Sequence, residues 1–360
     1  MSSSSGCNRG RAVLPVTASL VPFLLLLVVV SCQAALVVSA THTHGHGGGK
    51  HAGAARAAFR AGDEQEAYAR IMARMARMDK DSNMTIQDEP VERPMSKGGA
   101  AEEEAGVFPQ AWSDGGSKRC PAGTVPIRRT AARDVLRASS ARRFGMKARG
   151  GGSSSSNARR DSTSSGHEVS PELYGDSSPR FFTYWTTDAY QETGCYNLHC
   201  SGFVQTNSRI AIGAAISPTS VYNGRQFDIS LLIWKDPHRG NWWLQLGSGP
   251  LVGYWPSLLF THLGAHADMV QFGGEVVNSR PAGAHTPTQM GSGHFPREGS
   301  NRAAYFRNLQ VVDADNSLVA AAALRLVADR PGCYDIQGGY NTAWGNYFYY
   351  GGPGRNVHCP

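Results

Sequence analysis

From Val169 onward the sequence predicts an all-β domain, a sandwich or barrel of antiparallel strands. Short runs rich in β-branched and aromatic residues recur there, separated by Gly, Asn, Asp and Pro. One of them, Asp228–Trp234, is apolar almost throughout after its start, as a strand covered on both faces would be. Four cysteines fall in this half, Cys195, Cys200, Cys333 and Cys359, an even number that reads as two disulfides. The pairing is open. The local option is Cys195–Cys200, which leaves Cys333–Cys359 to tie down the C-terminus.

The elements follow in chain order. Residues 1–40 read as a secretory leader: Arg9 and Arg11 precede an apolar run, Leu20 to Val30, interrupted by Pro22. The run is too short and broken for a membrane span, and Val38-Ser39-Ala40 offers a cleavage site. Secretion follows as an expectation, into a compartment where disulfides persist. With Cys7 and Cys32 in the leader, Cys120 has no partner. His42, His44, His46 and His51 lie in a Gly/Ala-rich tail that reads as solvated. Between Glu64 and Lys80, Tyr68, Ile71, Met72, Met75 and Met78 recur at helical steps, with Arg70, Arg74 and Arg77 opposite. Asn83-Met84-Thr85 is a glycosylation sequon at Asn83. Residues 86–117 look like linker, and a short helical pattern surrounds Asp134–Arg137. Residues 149–166 are a Gly/Ser/Arg run without apolar periodicity and read as a second linker. The predicted strands then lie in Phe181–Trp185, Arg209–Ile212, Phe227–Trp234, Trp242–Leu246, Asp268–Arg280, Tyr305–Val312 and Tyr347–Tyr350.

The charge balance argues against a nucleic-acid partner. The whole chain carries +7, but residues 166–360 hold 12 Lys+Arg against 14 Asp+Glu. The basic excess is therefore upstream, scattered among Ser, Gly and Ala without interleaved aromatics. No membrane partner and no cofactor are expected either.

Three kinds of chemistry compete. His262 and His266 have the i, i+4 spacing of a zinc pair, but Leu263 stands where a zincin needs its general base, so no metal site is predicted. No G-x-S-x-G elbow supports a serine nucleophile, and no phosphate or dinucleotide fingerprint is present. The third is acid/base work by carboxylates. Glu275 follows the pair Gly273-Gly274 inside a strand-like stretch, and glycines there mark a bulge or a close approach. Two carboxylates in a shared site split their pKa values, so one takes a proton from water while the other donates.

The motifs Val169-Ser-Pro-Glu-Leu-Tyr-Gly-Asp176, Phe182-Thr-Tyr-Trp185, Thr193-Gly-Cys-Tyr-Asn197, Gly202–Ser208, Gly253–Ser257, Gly273-Gly-Glu-Val276, Gln289–Gly293 and Tyr349–Gly354 resemble the neprosin-domain family of plants. The resemblance implies an antiparallel β-sandwich over residues 167–360. It also implies a glutamic endopeptidase acting near proline at acidic pH, secreted to the extracellular space or cell wall. Cys120–Thr130 and Asp134–Ala138 resemble the family's activation peptide, which makes 41–148 an inhibitory prosegment and a proline-containing peptide the substrate. One catalytic Glu maps onto Glu275. The other belongs to an E-x-G-W-Q-V segment just upstream of Val169, and that segment is absent.

Counting back from Val169, the family's Glu falls at Ser164. Glu168 lies on the same strand face about 13 Å further along, a poor substitute. Several N-terminal strands are thus expected to be missing from the sandwich, which leaves open edges. An impaired peptidase is the resulting expectation. The alternative is a non-catalytic extracellular module in which Trp242-Trp243 and Tyr347–Tyr350 bind peptide or wall polymer.

Overall fold

The computed structural model describes residues 33–34, 89–96, 120, 124–128, 130, 132–137 and 144–147, then 161–360 except residue 248. The histidine tail, the expected helix over 64–80, Asn83 and most of the leader lie outside the described residues. The described strands are β1 (Gln33–Ala34), β2 (Met95–Ser96), β3 (Ser162–Glu168), β4 (Arg180–Thr186), β5 (Val204–Gln205), β6 (Leu231–Lys235) and β7 (Trp242–Leu246). They continue with β8 (Leu251–Trp255), β9 (Gly273–Gly274), β10 (Ala304–Phe306), β11 (Gln310–Val312), β12 (Ser317–Ala320), β13 (Asp335–Asn341) and β14 (Gly345–Gly351). The fold is all-β, as predicted, with one short helix upstream, Ala132–Arg137, on the expected pattern. Among the described residues no helix is long and apolar enough to cross a membrane.

The largest sheet is antiparallel in the order β5-β8-β7-β6. Its middle strand β7 is buried at every position. Trp242, Leu244 and Leu246 pack on one side with Phe181 of β4 and Trp255, while Trp243 faces the other side with Trp234, Tyr254 and Val312. Alternating side chains can be apolar on both faces only where both faces are covered. A second sheet, β10-β14-β13, places Phe348 and Tyr350 in a core with Val276, Met290 and Tyr334, closed by the Cys333–Cys359 bridge. Cys195–Cys200 is the other disulfide, and Cys120 is free.

Several elements differ from the expectation. The linker assigned to 149–166 ends early, because Ser162–Glu168 is a buried strand paired along its full length with β4. Hydroxyls make this possible without apolar side chains: Ser165 Oγ donates to Phe182 O at 2.8 Å. Arg209–Ile212 forms no strand, only a parallel bridge from Ile212 to Ile127. Tyr305–Val312 splits into β10 and β11 where Asn308 takes φ 51°. The stretch 268–280 keeps only two strand residues, Gly273 and Gly274, and these pair in parallel with β1.

Upstream residues are built into the domain. Val91 N donates to the fully buried Asp236 carboxylate at 3.1 Å, and Trp234 Nε1 donates to Glu92 O at 3.3 Å. Strand β2 then adds in parallel to the edge of β12. Replacing Asp236 by Ala removes the acceptor of Val91 and His238 amides, at a cost of about 1–3 kcal/mol. Limited proteolysis should then cut within 89–96 faster than in the parent chain; equal cleavage rates would show that the strap is held elsewhere.

Candidate active site

Glu275 is positioned by the glycines before it. A Cβ on Gly274 would meet Met290 and the Tyr350 ring at 2.8 Å, so only glycine lets this backbone lie against the core. Val276 then turns inward, 1 % exposed, and Glu275, by alternation, turns away from that core.

The Glu275 carboxylate is held by Lys147. Nζ donates to Oε2 at 2.7 Å, and the lysine side chain is 3 % exposed. The ammonium also lies 4.3 Å from the centre of the Tyr190 ring. Burial alone would lower the lysine pKa; the negative charge of Glu275, helped by Tyr190 and Tyr184, reverses that and raises it. Lys147 is therefore a buried ammonium at any physiological pH.

The segment that carries Lys147 is seated by backbone and rings. Tyr196 N donates to Gly145 O at 2.7 Å, and Lys147 N donates to Tyr184 Oη at 3.3 Å. Phe144 meets the His199 ring edge-on at 4.9 Å. Gly145 has φ +77°, and a Cβ there would stand 2.6 Å from His199 Cβ. Phe144 and Val135 join Leu173, Tyr174, Phe182, Tyr184 and Tyr196 in one apolar cluster, so upstream and downstream residues share a core.

Glu168, at the end of β3, is 2 % exposed. Its Oε1 accepts from Tyr174 Oη at 2.8 Å, and that hydroxyl accepts from Asn197 Nδ2 at 2.8 Å. Among the described residues its Oε2 has no hydrogen-bond partner. Burial pushes the carboxyl up to about 7, against the opposing hydrogen bond of Tyr174 and the charges of Lys147 and Arg180. Glu168 is thus fixed on Tyr174, while Glu275 is fixed on Lys147.

Ser164 is 3 % exposed and pairs across the sheet with Tyr184. Directly opposed residues share a face, so position 164 lies on the face where Tyr184 reaches Lys147. The histidine pair divides. Asp161 takes the His262 and Leu263 amides, with its Oδ1 3.6 Å from His262 Nδ1, while His266 Nε2 is 3.3 Å from Asp268. Among the described residues, the His/Cys/Asp/Glu group with ligand-like spacing is His285, Cys333 and Cys359, whose sulfurs are joined to each other. Trp242 and Trp243 are core residues, 1 % and 0 % exposed, so they recognise nothing outside the protein. Tyr347 and Tyr349 are half-buried on the solvent side of β14.

Sequence reasoning missed Lys147, Tyr184 and Tyr190. A lysine in Phe144-Gly-Met-Lys147 carries no pattern to distinguish it from the many upstream basic residues.

The neprosin family model matches residues 144–353, more than half of the chain, and the neprosin activation peptide model matches 80–170. The chain belongs to the neprosin family and carries its activation peptide. Lys147 falls where the two matched ranges overlap.

The raised carboxyl of Glu168 fixes a sign. In the unfolded chain it titrates near 4.5, and in the folded protein near 7. Between those values the folded state binds the extra proton, so stability falls as pH rises from 4.5 to 7 and is unaffected by this group below 4.5. Glu168→Gln should remove up to about 3 kcal/mol of that fall and melt higher than the parent at pH 8. Parallel melting-temperature profiles for the two proteins would contradict it.

Proposed function

We propose that this chain is the secreted precursor of a neprosin-type glutamic endopeptidase that hydrolyses peptide bonds near proline at acidic pH. Glu275 is one of its two acids, and the prosegment holds that acid silent. The observation that supports this is the Lys147–Glu275 pair: the carboxylate singled out as catalytic is paired with a lysine in the segment that the activation-peptide and neprosin-domain models both match. A glutamate bound at 2.7 Å to a buried ammonium is a weaker base toward water than a free one. Acid favours release, because protonating Glu275 leaves the ammonium buried without its counter-charge, a loss of about 3–5 kcal/mol.

After release, Glu275 as the ionised member accepts a proton from water while a second, protonated acid donates to the leaving amine. The family's position for that acid is Ser164, which does not titrate. The released chain is therefore impaired, and the cause is the missing segment upstream of Val169. Glu168 is protonated at acidic pH but is engaged with Tyr174.

The test uses the acid-processed protein on a proline-rich peptide at pH 3–5, an interval set by carboxylate chemistry at about that pH. The parent should show little turnover, Glu275→Gln none, and Ser164→Glu a gain over the parent. Robust parental turnover lost in Glu168→Gln would instead assign the second acid to Glu168 and overturn the impairment. Lys147→Met should release the prosegment at higher pH than the parent, read as the pH of half-maximal processing. An unchanged midpoint would remove the latch from the scheme.

A further inference from the structure

On β14 the inward residues are Phe348 and Tyr350, both buried, and alternation would ordinarily make the outward residues polar. They are Tyr347 and Tyr349. Cross-strand pairing puts Tyr305 of β10 and Gln337 of β13 beside Tyr349 on the same face. Trp344 extends the row, its ring stacked on Tyr305 at 4.8 Å and 30°. Opposite Tyr347 the sheet has Gly339, and a Cβ there would stand 2.6 Å from Tyr347 Oη, so the glycine lets the ring settle over the strand.

The face ends in a groove of about 150 Å³ lined by Pro296, Arg297, Gln337, Gly338, Tyr347 and Tyr349, among others. Among its lining residues the one charged side chain is Arg297. Asp228 is already taken by Tyr305 Oη at 3.1 Å and Arg307 at 2.7 Å, and Glu298 by Tyr222 Oη and His294, each at 3.0 Å. Arg297 rests over the Phe295 ring at 5.2 Å and makes no salt bridge among the described residues.

We infer that this face binds an anionic sugar polymer, a chain of uronic acids, at a site separate from Glu275. The apolar C–H face of a pyranose ring meets the electron-rich faces of Tyr347 and Tyr349. The ring hydroxyls match Gln337 and the phenols, and the carboxylate matches the uncommitted guanidinium of Arg297. Four of the named lining residues, Arg297, Gln337, Tyr347 and Tyr349, carry hydrogen-bonding side chains, which suits a hydroxyl-rimmed ring better than an apolar pyrrolidine. This inference stands independently of the peptidase reading.

The experiment titrates the purified chain with oligogalacturonate, with cello-oligosaccharide of equal length and with a proline-rich peptide. Oligogalacturonate should bind, weaken with salt, and bind at least about tenfold better than the neutral sugar. Tyr347→Ala and Arg297→Gln should each lower its affinity about tenfold, with melting temperature unchanged; Tyr349→Phe, which keeps the ring, should lose less. Binding that survives both substitutions would place the contact on the basic upstream residues and overturn the inference. So would equal affinity for the neutral sugar, capture of the proline-rich peptide alone, or no binding. The groove lining includes neither Glu275 nor Lys147, so failure of the peptidase assay leaves this result readable.

Discussion

One ion pair holds together two parts of the chain that lie 128 residues apart: Lys147 on Glu275. Neither charge is stable alone in its surroundings, since removing one partner of a buried pair strands the other in a medium that solvates it poorly. The segment around Lys147 is seated in a way that satisfies that requirement. Tyr190 and Tyr184 lie beside the ammonium, Gly145 allows the chain to bend past His199, and Phe144 and Val135 add apolar contact to a cluster of the downstream domain. The activation region is therefore part of the core around this site.

A second buried polar chain runs from Asn197 to Tyr174 to Glu168, joining β3 to the helical turn Pro171–Tyr174. Arg180 lies 4.8 Å and Arg128 5.2 Å from the Tyr174 ring centre. The network keeps one oxygen of Glu168 satisfied and leaves the other orphaned, and a buried carboxyl with one partner holds its proton. Burial thus holds the Glu168 carboxyl neutral under acidic conditions, while Glu275 is paired with an ammonium.

How much of this was legible in the sequence depended on side-chain type. The strand Trp242–Leu246 announced itself, because burial on both faces writes a continuous apolar run, and of the run Asp228–Trp234 the part from Leu231 onward is strand. The cysteines at 195, 200, 333 and 359 pair as their local option suggested. Ser162–Glu168 did not announce itself, since Ser, Thr and Gly read as linker until a partner strand accepts their hydroxyls and fills the remaining space. Arg209–Ile212 had the apolar texture of a strand, but Ile210 and Ile212 bury their side chains from an irregular segment. At the candidate site, Glu275 was singled out by the family resemblance of Gly273-Gly-Glu-Val276, since glycines alone fit a surface strand position equally well. Lys147 was not, because its role comes from position across the fold and no local spacing encodes that.

Strand β2 has a consequence for any cleavage of the chain downstream of it. Residues 89–96 are held by the Asp236 carboxylate, by Trp234 and by ladder pairing to Ser317–Leu318, none of which depends on the peptide bonds between 97 and 119. A cut in that interval leaves the N-terminal piece bound noncovalently, so its departure is governed by mass action and by dilution. Severing the chain and losing the fragment are two separate events, with separate rates.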